Sequence, residues 1–140
     1  MAANSRFAVA AHVLSLLHIH EGGRITSEYI AGSVNTNPVV VRRIMGMLNK
    51  AGLVQTSPGV AGATLARPID EITLLDVYRA VQPEDGSLFA IHDNPNPDCR
   101  VGRNIQVTLD TAFTRAQQAM ERELAGMTME EVCLDIVNRP

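Results

Sequence analysis

The chain has 140 residues, 46 % of them hydrophobic, and carries 12 Lys and Arg against 15 Asp and Glu for a net charge of −3. A single domain of this length buries roughly two-thirds of its unfolded surface, so neither a structural metal nor disulfides are needed, and two cysteines are too few for a disulfide framework. The apolar runs near the amino terminus are broken by His12, Ser15 and His18. No signal peptide or membrane span is read there, and a cytoplasmic protein with reduced thiols is expected.

Ser5 caps a predicted first helix, on which Phe7, Ala10, Ala11, Leu14, Leu17 and His18 share one face, and Glu21-Gly22-Gly23 ends it. Arg24 and Ile25 predict a short strand. Thr26 or Ser27 caps a second helix through Val34, Asn35-Thr36-Asn37 supplies a turn, and Pro38 opens a third helix where its missing N–H is harmless. Along that helix, which closes at Gly52, Val41, Ile44, Leu48 and Ala51 make the core stripe. Val39, Val40, Arg42, Arg43, Gly46 and Asn49 occupy its other faces. Leu53 to Thr56 then reads as a strand, Ser57 to Gly62 as a glycine-bearing tip, and Ala63 to Ala66 as the return strand.

Thr73 with Asp76 resembles a capping box for a helix from Leu74 to Gln82. A linker-like stretch with Pro83, Gly86, Pro95 and Pro97 follows, from Gln82 to Arg103. Next, Ile105, Leu109, Ala112, Phe113, Ala116, Ala119, Met120 and Leu124 recur every three or four residues over roughly 30 Å of helix. The elements ahead have little spare apolar area to cover this stripe, and its alanines permit close approach, so a second copy of the chain is the expected cover. Thr128 with Glu131 caps a last short helix through Asn138. The expected organisation is a winged helix-turn-helix domain over 1–82, a linker and sensor loop over 83–104, and a dimerisation helix with a short C-terminal helix over 105–140. The fold class is mainly α with a small β-wing.

Charge placement points to DNA. Met1 to Gln82 carries seven Lys or Arg against five Asp or Glu, whereas Pro83 to Pro140 carries five against ten. Within the first half, Tyr29 to Ile69 holds Arg42, Arg43, Lys50 and Arg67 and no Asp or Glu. Two adjacent arginines are by themselves a common solvated face, and a glycine hairpin is by itself only a turn. Their occurrence in the order recognition helix then wing, without acids, favours a surface built for phosphates. Only the major groove admits a helix and displays a full donor and acceptor code, so Arg42 is the expected base reader. Arg43 is assigned to base or phosphate, and Thr36 and Asn37 to contacts at the helix entrance. The expected surface comprises Ser27, Tyr29, Thr36, Asn37, Pro38, Val39, Val40, Arg42, Arg43, Lys50, Ser57, Gly59 and Gly62, the two glycines letting the tip approach phosphates.

Asn37-Pro38-Val39-Val40-Val41-Arg42-Arg43-Ile44, Ala51-Gly52-Leu53-Val54, the Gly59 and Gly62 wing, Leu65-Ala66-Arg67-Pro68 and Glu71-Ile72-Thr73-Leu74-Leu75-Asp76-Val77 together resemble the Rrf-type winged-helix regulators, relatives of IscR, NsrR and CymR. The similarity covers nearly the whole chain. It implies a bacterial homodimeric transcription factor, usually a repressor, and the two-fold symmetry of such a dimer makes a palindromic operator in double-stranded DNA its expected partner. It also implies that the long helix, through Ile105, Leu109, Ala112, Phe113, Ala116, Met120 and Leu124, forms the dimer interface. Family members with an iron–sulfur cluster place three cysteines in the loop before that helix, whereas this loop has Cys99 alone. No cluster, metal or other cofactor is therefore expected. Cys99-Arg100-Val101-Gly102 resembles a cysteine-valine-glycine arrangement in a branch without the cysteine trio, in which thiol chemistry is the input.

Position supports Cys99 as a sensor, since a helix amino end and the neighbouring Arg100 and Arg103 favour thiolate while Asp98 opposes it. The competing reading makes Cys99 a small hydrophobe that packs the loop, in a regulator that answers to a small molecule, metal or cluster. A protein-interaction module without DNA binding is the third reading, and the acid-free segment argues against it. Cys133, between Val132 and Leu134, reads as core. His18 and His20 lie on different helix faces and offer no metal pair, and the methionines read as core filler. An enzyme is not expected, because no Ser-His-Asp, Cys-His or paired-carboxylate set falls on adjoining elements.

Overall fold

The computed structural model describes residues 5–20, 23–82, 86 and 88–140. Glu21 and Gly22, expected to stop the first helix, and Pro83, expected in the linker, lie outside them.

Three helices, α1 (Ser5–Ile19), α2 (Ser27–Val34) and α3 (Pro38–Lys50), pack against one another through apolar residues at helical spacing. Val13, Leu14, Ile30, Val41, Ile44 and Leu48 are at most 1 % exposed. The turn between α2 and α3 is fixed locally at both sides. Thr26 Oγ1 accepts the Tyr29 N–H at the start of α2, and Asn35 adopts the left-handed conformation at its end, φ 67°. Asn37 Oδ1 then accepts the Val40 N–H, with Pro38 at the first turn of α3. Ala51, expected in the core stripe, is exposed because the helix has already ended at Lys50 and Ala51 serves as its C-cap. His18, on the shared face near the end of α1, is also exposed.

The wing is an antiparallel pair, β1 (Val54–Ser57) and β2 (Val60–Leu65), with Val54 opposite Leu65 and an irregularity between Gln55 and Ser57. Its tip is therefore only Pro58-Gly59, shorter than the expected Ser57 to Gly62. Arg24-Ile25 contributes an isolated bridge rather than a strand, through Ile25 and Ala63, which exchange both backbone hydrogen bonds. Gly62 explains why this bridge can form. A Cβ there would meet Arg24 Cβ at 3.0 Å and Ile25 N and O at 3.1 Å, and its φ of +87° disfavours any other residue.

After a 3-10 turn at Ile69–Glu71, α4 (Leu74–Val81) opens on the expected capping box, with Thr73 and Asp76 each bonding the other's backbone N–H. The long helix α5 (Arg100–Ala125) starts five residues before the expected Ile105 and spans about 39 Å. A last helix, α6 (Met129–Val137), begins at the Thr128 cap. It returns to the first helices, so that Met129, fully buried, and Cys133, 3 % exposed, belong to the same core as α1 to α4. Two backbone bonds lock this return, Leu74 N–H to Met127 O and Met129 N–H to Ile72 O, each 2.8 Å. Among the described residues no helix is long and apolar enough to cross a membrane.

Candidate nucleic-acid interface

The caps that start α2 and α3 also decide which side chains reach solvent. With Val41, Ile44, Met45 and Leu48 turned inward, Val39, Arg42, Arg43, Gly46, Asn49 and Lys50 are left exposed on α3. A groove of about 320 Å³ separates this face from the wing and the start of α2, lined among others by Ser27, Arg42, Gly46, Asn49, Thr56 and Gly62. Two side chains tie the wing to the helices around it. Asn49 Nδ2 donates to Thr56 Oγ1 at 2.8 Å, and Arg24 donates from Nε and Nη2 to the carbonyls of Ala61 and Gly62.

The four cations of the acid-free segment have three different fates. Arg67 turns away, pairing with Asp76 at 3.6 Å and with the Glu71 carbonyl, so its charge serves the start of α4. Arg42 Nη2 lies 2.9 Å from Glu28 Oε1 across the helix-turn-helix. Arg43 and Lys50 are exposed and without an ion-pair partner among the described residues. The remaining expected contact residues surround them. Ser27, Thr36, Pro38 and Val40 are half-buried at the helix entrances, and Asn37 is exposed with its Oδ1 committed to capping. Tyr29, 51 % exposed, packs against His20 with the rings tilted and their centroids 5.0 Å apart. Val39, Ser57 and Gly59 are exposed, whereas Gly62 sits half-buried under Arg24 rather than at the tip.

Glu28, Arg24, Asn49 and Thr56 are residues that the sequence did not mark. Glu28 stands one position before the acid-free segment and 14 residues before Arg42, so only the crossing of α2 over α3 brings the two together. The Asn49 to Thr56 and Arg24 to Ala61 contacts likewise cross between elements.

The second candidate region is the amino end of α5. Cys99 is its N-cap, exposed, and the thiol pKa is lowered from the ordinary value by the backbone N–H of Gly102 first and of Val101 second. The lowering comes from these backbone N–H groups and not from the arginines expected to favour thiolate, and Arg103 Nη1 donates to the Pro97 carbonyl at 3.2 Å. Gly102 lets the loop close onto the helix, because a Cβ there would lie 2.2 Å from Asn96 O. Cys133 differs in every respect, being buried, with burial raising its pKa and the Ser15 side chain opposing that rise.

Along α5 no residue is buried. Ile105, Leu109, Phe113, Met120 and Leu124 are half-buried, and Ala112 and Ala116 are exposed. The chain's own loop provides part of the cover expected from a second copy. Phe89 packs on Phe113 with tilted rings 4.9 Å apart, Gln117 bonds both Gly86 O and the Leu88 N–H, and Gln106 bonds His92 O.

The family described as Rrf2, iron-dependent transcriptional regulator, matches residues 3–135. The chain is 52 % identical over 129 residues, 92 % of its length and 95 % of the relative's, to YwnA of Bacillus subtilis (strain 168), a candidate HTH-type transcriptional regulator. A crystal structure of a candidate DNA-binding protein is 47 % identical, with a TM-score of 0.75 over 91 % of this chain and 98 % of that one. A candidate transcriptional regulator from Lactobacillus plantarum gives 27 % identity and a TM-score of 0.80, over 94 % and 89 %.

The family's description names iron dependence, which would call for a set of metal donors. Cys99 is exposed at the head of α5 and Cys133 is buried in the core, and among the described residues no three His, Cys, Asp or Glu gather into a group that could hold a metal. The residues of one chain do not fit a cysteine-ligated cluster.

Proposed function

The chain belongs to the Rrf2 family of transcriptional regulators, and on that premise we propose that it is a homodimeric repressor that reads an imperfect palindrome and answers to modification of Cys99. The observation that carries the DNA-reading part is the exposed face of α3, where Arg42, Arg43 and Lys50 stand beside the wing with an open groove between. Helix α3 enters the major groove, Arg42 meets base edges, Arg43 and Lys50 hold phosphates, and the Pro58-Gly59 tip lies against the flanking backbone. Repression follows from occupancy of promoter DNA.

The exposed length of α5 supports the dimer. A helix of 26 residues with none of them buried, carrying Val101 and Val107 at 67 % and 74 % exposure, has apolar surface left for a second copy even after its own loop is laid on it. Two-fold symmetry then sets two α3 helices roughly one or more DNA turns apart, each turn about 34 Å. Thiol control rests on the exposure and lowered pKa of Cys99. The thiolate attacks a peroxide oxygen to give sulfenic acid with hydroxide leaving, or adds to the β-carbon of an activated alkene, whose π bond opens and whose α-carbon takes a proton from water, to form a thioether. Either product stands at the junction of loop and α5.

Selection of genomic DNA fragments on the purified protein tests the reading. The expected result is an inverted repeat bound with an affinity that falls steeply with salt. Recovery of no inverted repeat, or binding indifferent to salt, would remove it.

A further inference from the structure

We propose that Glu28 is a specificity-determining residue: it positions the Arg42 guanidinium for base contact and penalises DNA bound in any other register. The proposal rests on the assignment of α3 as the DNA-reading helix. Glu28 lies in the first turn of α2, whose start is fixed by the Thr26 cap, and its Oε1 is 2.9 Å from Arg42 Nη2 in the middle of α3. The side chains are 66 % and 56 % exposed, so solvent screening leaves the pair little effect on folding stability. Its consequence must be sought at the surface on which it stands.

That surface is otherwise free of acids from Tyr29 to Ile69. The fold returns a carboxylate to it from outside the segment, next to the residue best placed to enter a groove. Non-specific complexes are held by cations on phosphates, and a carboxylate beside Arg42 weakens all of them. A specific complex avoids most of that loss, because Glu28 keeps its partner while Arg42 reads. The guanidinium presents five N–H donors in a planar fork, and an acceptor at Nη2 leaves further donors for guanine O6 and N7. Pairing also restricts a side chain that otherwise samples many rotamers, and the bare Gly46 beside it in the groove leaves its path open.

The test compares full-length wild type, Glu28→Gln, Glu28→Asp, Arg42→Ala and the Glu28→Gln/Arg42→Ala double variant. Binding is measured on the selected repeat, on its single-base variants and on a random duplex, across a salt series. Glu28→Gln is expected to bind the random duplex about three- to tenfold more tightly at low salt, with a log–log salt slope steeper by roughly 0.9. Its ratio of specific to random affinity should fall, with the loss concentrated at the base positions that Arg42→Ala also flattens, and the double variant should add no further loss there. Glu28→Asp keeps the charge on a shorter arm. It should therefore bind random DNA like wild type and still lose base preference at those positions. If Arg42→Ala flattens base preference while Glu28→Gln leaves the ratio within about twofold of wild type, the proposal is overturned and the α3 assignment stands. If Arg42→Ala leaves base preference intact, the α3 assignment fails and takes the proposal with it. Thermal melts of all five proteins should agree within a few degrees, as expected for an exposed pair.

Discussion

Arg42 Nη2 lies 2.9 Å from Glu28 Oε1 across the turn between α2 and α3, so the arginine expected to read bases is already paired before DNA arrives. Lys50, the last residue of α3, is exposed and has no ion-pair partner among the described residues. Their replacements should therefore differ in kind. Arg42→Ala is expected to cost about 1–3 kcal/mol on the cognate repeat and to relax preference at one base position per half-site. Lys50→Ala should weaken every sequence alike and reduce the salt slope by about one contact. Equal losses for Arg42→Ala on specific and random DNA would show that it holds phosphate.

Gly102→Ala opposes two effects of known sign. Alanine within a helix is favoured over glycine by about 1 kcal/mol. The new Cβ would stand 2.2 Å from Asn96 O, however, and backbone rather than a flexible side chain must move. The expected result is net destabilisation by about 1–3 kcal/mol, with the 96–99 segment lifted off α5. Melting temperature and amide exchange across that segment measure it, and a variant as stable as wild type would place the loop elsewhere.

Leu109→Asp puts a carboxylate on the half-buried stripe of α5. If that stripe faces a second copy, the variant should sediment as a monomer and lose operator affinity. Phe113→Asp should do the same and, in addition, release Phe89, because the rings are 4.9 Å apart. A Leu109→Asp protein that remains dimeric would put the interface on another surface.

Cys99 and Cys133 should separate cleanly in alkylation. Cys99 is exposed with a lowered pKa, so its thiolate persists below the pH at which an ordinary thiol is protonated, and its rate should remain high toward neutral pH. Burial raises the Cys133 pKa and shields it, so modification there should wait for unfolding. Mass spectrometry of timed iodoacetamide reactions from pH 6 to 9 reads both rates. The functional half of the prediction compares operator binding before and after mild peroxide for wild type and Cys99→Ser. Equal responses of the two proteins would make Cys99 structural.

Met129 is fully buried beneath α1 and the turn that precedes α4. Replacing it by Ala should cost about 2–5 kcal/mol by leaving a cavity, an effect that chemical denaturation would read. A cost near zero would mean that α6 does not belong to this core.

Local rules were enough for much of the fold. The Thr73 capping box, Pro38 at the head of α3, and the Val41, Ile44 and Leu48 stripe are each set by neighbours within a few residues, and the sequence identifies them without reference to anything distant, whereas it leaves the cap of α2 open between Thr26 and Ser27 and gives Asn37 to the turn. The basic character of Tyr29 to Ile69 is equally a property of the chain. Tertiary structure alone decided what those charges do. Arg67 goes to Asp76 and Arg42 to Glu28, while Arg43 and Lys50 have no ion-pair partner among the described residues, because ion pairing depends on how helices cross. It also decided that Gly62 serves the Arg24-Ile25 bridge, that Asn96 closes over Gly102, and that Phe89 covers Phe113. A hydrophobic period tells which face of a helix must be buried, but not what buries it, since apolar attraction has no direction and any surface of matching shape can supply the cover.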